Sequence, residues 1–220
     1  MKEPAGLDYE IFEAGHTKEW LMRIGPRDAP SILFLPALFE EMNRTRALTA
    51  ATMRLVAARG LACWLPDLPG TGESHAALEN CAWEDWQSAI AAAARHVSGI
   101  NKLCAVASIR GGALLDGHVP APKRWRFAPV DGTSLVRDLS RAGLMGGGGS
   151  AGYSPPPGLL AALETAQPTL AGDIRTLRLA SDRNDADHKV AGSALWRRSE
   201  PATSEALATA LADDILKWIG

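Results

Sequence analysis

The chain has 220 residues, 46% hydrophobic and 22% charged, with a formal net charge of −2. That length suits one sizeable domain, and the composition is globular, not disordered. A pI near 6.2 excludes the global basic field that nucleic-acid partners require.

No run is long and apolar enough for a membrane span. The opening MKEPAGLDYE lacks the apolar core of a signal peptide. Cys63, Cys81 and Cys104 cannot all pair and read as reduced, mostly buried thiols. A soluble cytoplasmic protein is expected.

The elements follow in order. Tyr9 to Ala14 and Glu19 to Ile24 read as two strands around Gly15-His16. They should form an antiparallel edge within residues 1–30. Ser31 to Leu35 (SILFL) is a fully buried strand ended by Pro36, and Phe39 to Gly60 a helix. Leu61 to Leu65 is the next buried strand. Pro66 to Ser74 (PDLPGTGES) is a defined irregular loop, given its glycines and prolines. Trp83 to Val97 is a helix with its indoles toward the sheet. Leu103 to Ala107 is another buried strand, followed by Ser108-Ile109-Arg110-Gly111-Gly112 and a very short helix stopped by Pro120 and Pro122. Arg124 to Val130 is a strand and Ser134 to Leu144 a short helix. Gly146 to Gly149 is the centre of a flexible Gly/Pro-rich loop over 145–158. Gly158 to Ala166 is a helix, Ile174 to Ala180 a strand, Val190 to Arg197 a weaker strand, and Ser204 to Ile219 a closing helix capped by Thr203 or Ser204. Alternating buried strands and helices predict one α/β domain over 1–220, a mostly parallel sheet covered on both faces. No full lid domain is expected.

Strand, glycine-bearing turn, then helix is the setting of a nucleophile elbow, usually G-x-S-x-G. Here Arg110 takes the nucleophile position; shifting the register by one substitutes Ile109. A guanidinium stays protonated and cannot attack a carbonyl.

The strand SILFLP, the D-x-P-G-x-G-x-S loop at Asp67 to Ser74 and the elbow together resemble the α/β-hydrolase fold superfamily. More narrowly, LPALFEEMNRTRAL (35–48), LPDLPGTGES (65–74), AWEDWQSAI (82–90) and IRGGALL (109–115) resemble the exosortase A system-associated hydrolase 2 group of exopolysaccharide-making bacteria. The resemblance covers residues 30–220 and is strongest before residue 116. It implies an α/β-hydrolase-like fold, an arginine at the elbow, and an exopolysaccharide or protein-sorting context with an acyl-carrier protein as a possible partner. Fold by itself does not establish activity.

The superfamily's triad runs nucleophile, acid, histidine along the chain. Ser108 lies near the elbow but two residues early. Asp182, Asp185 and Asp187 follow the 174–180 strand and offer an acid, although a solvated turn explains them as simply. No histidine follows Arg197; the five are His16, His75, His96, His118 and His188. Asp182, Asp185, Asp187 and His188 lack the spacing of a calcium loop, so no metal or other cofactor is expected.

Arg110 at a helix start stacks positive charge on positive and needs an anion. Glu40, Glu41, Asp182 or Asp185 could supply one internally, making the arginine a structural plug. A ligand carboxylate, phosphate or sulfate could supply it instead. Backbone N–H groups of Leu38 and Gly111 would form a donor pair like an oxyanion hole, and His75 lies in the loop over the same sheet edge. Three readings follow: a degenerate hydrolase binding an acyl or anionic ligand or a partner; an active ester or thioester hydrolase using unusual residues, with Glu41 as base; or a structural subunit whose pocket Arg110 fills.

Overall fold

The computed structural model describes residues 6–141, 155–198 and 200–220. The expected Gly146–Gly149 loop lies outside the described residues. Eight strands form one sheet: β1 (Leu7–Ala14), β2 (Thr17–Ile24), β3 (Ser31–Leu35), β4 (Ala62–Pro66), β5 (Leu103–Ile109), β6 (Lys123–Phe127), β7 (Asp173–Leu179) and β8 (His188–Val190). Their spatial order is β1-β2-β4-β3-β5-β6-β7-β8. β1 and β2 pair antiparallel, β2 meets β4 antiparallel, and every later pairing is parallel. The central parallel strands β3, β4 and β5 are apolar runs because both faces are covered, whereas β6 and β7 interleave arginines with Trp125, Phe127, Leu177 and Leu179.

The helices are α1 (Glu40–Ala57), α2 (Trp83–Ile100), α3 (Gly132–Arg141), α4 (Pro157–Thr165) and α5 (Glu205–Ile219). One core, with Leu48, Met53, Leu211 and Ile215, lies under α1 and α5. The other, with Trp86, Ile90, Leu135 and Leu163, lies under α2, α3 and α4. Asp85 reaches back to accept the Ala82 N–H at 2.7 Å, closing the first turn of α2. Ser204 caps α5 by accepting from Leu207 N at 3.3 Å. No helix among the described residues is long and apolar enough to cross a membrane.

Two expectations need correction. The segment read as a strand over Val190 to Arg197 pairs only through His188–Val190, and Leu195–Arg197 is a 3-10 turn. Leu195 and Trp196 are apolar because they pack over the sheet's end, with Trp196 edge-on to Phe127 at 5.9 Å. The very short post-elbow helix is 3-10 in kind, not α. Two short 3-10 turns, Arg110–Leu114 and Asp116–His118, make it up. The helix-dipole charge argued for Arg110 is therefore weak, since it needs several aligned peptide units.

Asp214 anchors α5 to the sheet. It accepts from Trp125 Nε1 at 2.9 Å and from Arg175 Nε and Nη2 at 2.7 and 2.6 Å. Burial pushes its carboxyl up, but Arg175 and the indole N–H outweigh burial and hold it below the usual range. A folded carboxyl with a lowered pKa stabilises above the unfolded value, and that stability is lost as pH falls through the folded one. Urea midpoints should therefore drop below about pH 4. Asp214→Asn should lose about 1–3 kcal/mol at pH 7 and show a flatter acid limb. An unaltered acid limb in the variant would refute this assignment.

Candidate functional site

The loops at the carboxyl ends of β3, β5 and β6 converge on Arg110. Each carries a non-glycine residue with positive φ: Phe39 at 55°, Arg110 at 52° and Ala128 at 48°. Such backbones cost about 1–3 kcal/mol each and tend to gather at functional sites. Arg110 has the left-handed backbone of an elbow, whereas Ile109 is extended with φ −115°. Pro36 ends β3 next to this turn. A Cβ on Gly112 would lie 2.5 Å from the Pro36 carbonyl oxygen, so only glycine lets the turn sit there.

The guanidinium is almost fully engaged by protein. Nε donates to both oxygens of Glu41 (3.2 and 3.1 Å), Nη2 donates to Glu41 Oε1 (2.8 Å), and Nη1 donates to the Ala128 carbonyl (3.2 Å). Asp138 Oδ2 lies 3.7 Å from Nη2. The Trp196 ring covers the group, its centroid 4.6 Å from Cζ. The Arg110 and Glu41 side chains are 8% and 12% exposed. Burial lifts the Glu41 carboxyl above its ordinary value, and Arg110 only partly opposes this. Glu41 stands in the first turn of α1, where an acid is favourable.

The other expected partners lie elsewhere. Glu40 pairs with Arg44 at 3.2 Å. Asp182 pairs with Arg178 at 3.0 Å, and Asp185 is exposed. Asp187 accepts the Thr176 N–H at 2.7 Å, beside the β7–β8 pairing. His75 is exposed and does not line the cleft described below. Leu38 is buried, and its side chain with that of Leu135 fills the space above Gly111: a Cβ there would meet them at 3.0 and 2.9 Å.

Ser108 is fully buried beneath the elbow. Its hydroxyl lies 3.3 Å from Asp116 Oδ2 and 3.4 Å from the Trp125 carbonyl. Asp116, also fully buried, receives a bidentate pair from Arg126 Nε and Nη2 at 2.7 and 2.8 Å. Arg126 Nη2 also donates to the Thr169 carbonyl at 2.8 Å.

Beside Arg110 opens a cleft of about 840 Å³, bounded by the β6 and β7 ends, α3 and the Leu195–Arg197 turn. Among the described residues, no histidine lines it. A smaller recess of about 260 Å³ lies beyond Trp196, against Glu40, Glu41 and Arg44. No cluster of three metal-binding side chains occurs among the described residues.

No protein-family profile and no curated protein matches the sequence. Solved structures do. A protein of Agrobacterium vitis S4 with a provisional hydrolase designation superposes with TM-score 0.62 at 14% identity, covering 99% of this chain and 100% of that one. The protein has the α/β-hydrolase fold. A proline iminopeptidase-related protein of Thermus thermophilus gives TM-score 0.50 at 18% identity over 74% of this chain and 58% of its own. An epoxide hydrolase of Vigna radiata gives 0.46 at 16% identity over 57% of this chain, and this chain spans only 40% of that enzyme's length.

Within the α/β-hydrolase fold, the residues that sequence reasoning missed are those joined from afar. Asp116 and Arg126 form the buried pair, and Asp138 and Trp196 close around Arg110. The tryptophan's apolar signal is visible in the sequence, but it suits a strand equally well. Trp196 also keeps a buried indole N–H with no acceptor among the described residues.

Proposed function

We propose that this chain is an α/β-hydrolase-fold protein of the exosortase-A-associated type that has given up serine-ester chemistry and works by binding. Its ligand is an acyl or anionic molecule, or a partner such as an acyl-carrier protein, in an exopolysaccharide or protein-sorting setting. The carrying observation is Arg110. The elbow residue is a cation held by Glu41, Ala128 and Trp196, where the fold's enzymes need an attacking oxygen. Trp196, not an imidazole, occupies the loop after β8. Ser108 is buried, and the carboxylate it reaches, Asp116, is already held by Arg126. Losing triad members costs about a factor of a million in turnover in well-studied enzymes.

The alternative is an ester or thioester hydrolase with Glu41 as general base. The burial-lifted carboxyl favours it. The three hydrogen bonds from Arg110 oppose it, because they occupy both oxygens.

Fluorophosphonate probes should label no serine, and p-nitrophenyl esters should give neither burst nor turnover above a Glu41→Gln control. Stoichiometric labelling of a serine would overturn the proposal. Turnover abolished by Glu41→Gln in a variant that still unfolds cooperatively would instead establish the alternative.

A further inference from the structure

The 840 Å³ cleft concentrates positive charge in a chain that is acidic overall. Among the described residues, six arginines line it against three aspartates, although the whole chain has 23 basic and 25 acidic residues. Three of these arginines are committed to protein: Arg110 to Glu41, Arg126 to Asp116 and Arg178 to Asp182. The other three, Arg137, Arg183 and Arg197, make no ion pair among the described residues. They are exposed, and they come from separate elements: α3, the loop after β7 and the Leu195–Arg197 turn.

Three guanidiniums without an ion pair, against the remaining Asp131 and Asp138, leave the concavity an excess of positive charge that attracts anions. Guanidinium forks suit phosphate or carboxylate oxygens, which they bind bidentately. Three guanidiniums carried on separate elements around a concavity of this size suit charges at more than one point of a ligand. The volume falls within the range of small-molecule sites and exceeds what one phosphate needs. Trp196, Val130 and Pro168 supply apolar wall between the charged points.

We infer that this cleft binds a small molecule bearing two or more oxyanion groups, with Arg137, Arg183 and Arg197 as its charge contacts. The inference deepens the non-hydrolytic binding reading and rests on it. Arg110 is committed to Glu41 and does not itself grip the ligand.

The test uses the whole chain at constant ionic strength, followed by thermal shift and calorimetric titration. Inorganic pyrophosphate and citrate are the two probes, one for phosphate and one for carboxylate chemistry. Either should raise the melting temperature saturably, and the tighter one names the source of the oxyanions. The triple variant R137Q/R183Q/R197Q should fold normally, since all three side chains are exposed, and should weaken binding at least tenfold. R59Q, in the turn just past α1, should bind as the parent does. Absence of saturable binding by both probes, equal binding by the triple variant, or equal loss in R59Q would each overturn the inference. None of these outcomes bears on serine labelling, so failure of the ligand assignment is separable from failure of the non-hydrolytic reading.

Discussion

Arg110→Ala is expected to lower the unfolding free energy by about 3–5 kcal/mol, the cost of stranding a buried carboxylate. Glu41 would lose three hydrogen bonds and its counter-charge in one step. Ala128 would lose a donor at its carbonyl, and Trp196 the cation beneath its ring. Alanine also keeps the unfavourable left-handed backbone, so no strain is recovered. Arg110→Gly should recover about 1–2 kcal/mol of that loss, because glycine adopts positive φ freely. The pair as a whole is a different matter. Replacing both partners, as in Arg110→Met with Glu41→Leu, should come close to the parent, since two desolvated charges are removed together. Urea unfolding of the three variants beside the parent reads this order directly. A Glu41→Leu/Arg110→Met protein as unstable as Arg110→Ala would refute the account of the pair as a plug. So would an Arg110→Ala protein within about 1 kcal/mol of the parent.

Asp116→Ala should cost a similar amount, about 3–5 kcal/mol, because it leaves the Arg126 guanidinium buried without its carboxylate. Both side chains are nearly inaccessible, at 0% and 5% exposed. Asp116→Asn keeps the shape but not the charge and should cost less. Ser108→Ala removes only a long, weak contact and should cost about 1 kcal/mol. That order separates a structural network from a catalytic one. In the structural case the damage is measured by unfolding and follows the ion pair. If Ser108 were a nucleophile, its removal would instead abolish an activity while sparing stability.

The two buried arginine pairs sit at the ends of adjacent strands and have different consequences. Arg126–Asp116 lies under the elbow and braces β6 against the turn that follows β5. Arg110–Glu41 lies at the mouth and joins the β3, β5 and β6 loops. Together they tie down a sheet end that carries three residues with positive φ. The strain at Phe39, Arg110 and Ala128 is offset by charge pairs and by the Trp196 ring over the guanidinium.

Much of the scaffold is legible without coordinates. Ser31 to Leu35 matches its strand to the residue, because a continuous apolar run bounded by Pro36 has few alternatives. The two antiparallel edge strands and the α2 region are equally visible as local patterns, and of the two cap candidates Thr203 and Ser204 the structure uses Ser204. The D-x-P-G-x-G-x-S loop is defined by short-range bonds. Asp67 accepts the Glu73 N–H at 3.0 Å, and a Cβ on Gly72 would lie 2.3 Å from Asp67 Oδ1. An Arg124 to Val130 strand is too long, because the Ala128 backbone turns left-handed and ends the pairing at Phe127. A strand over Val190 to Arg197 fails for another reason: apolar residues that pack over a strand end resemble those within a strand.

Sequence alone determined the layered α/β architecture, the sharp turn after β5, and the arginine that stands in that turn. These are local properties: hydrophobic period, turn chemistry and residue identity act within a few positions. Tertiary structure alone decided which acid meets Arg110, choosing Glu41 over Glu40, Asp182 and Asp185. It also placed Trp196 over the guanidinium and gathered Arg137, Arg183 and Arg197 around one cleft. Those choices depend on strand order and loop direction, which bring together residues distant in the chain. Burial then makes the chosen pair strong, because a charge removed from water must find its partner within the protein.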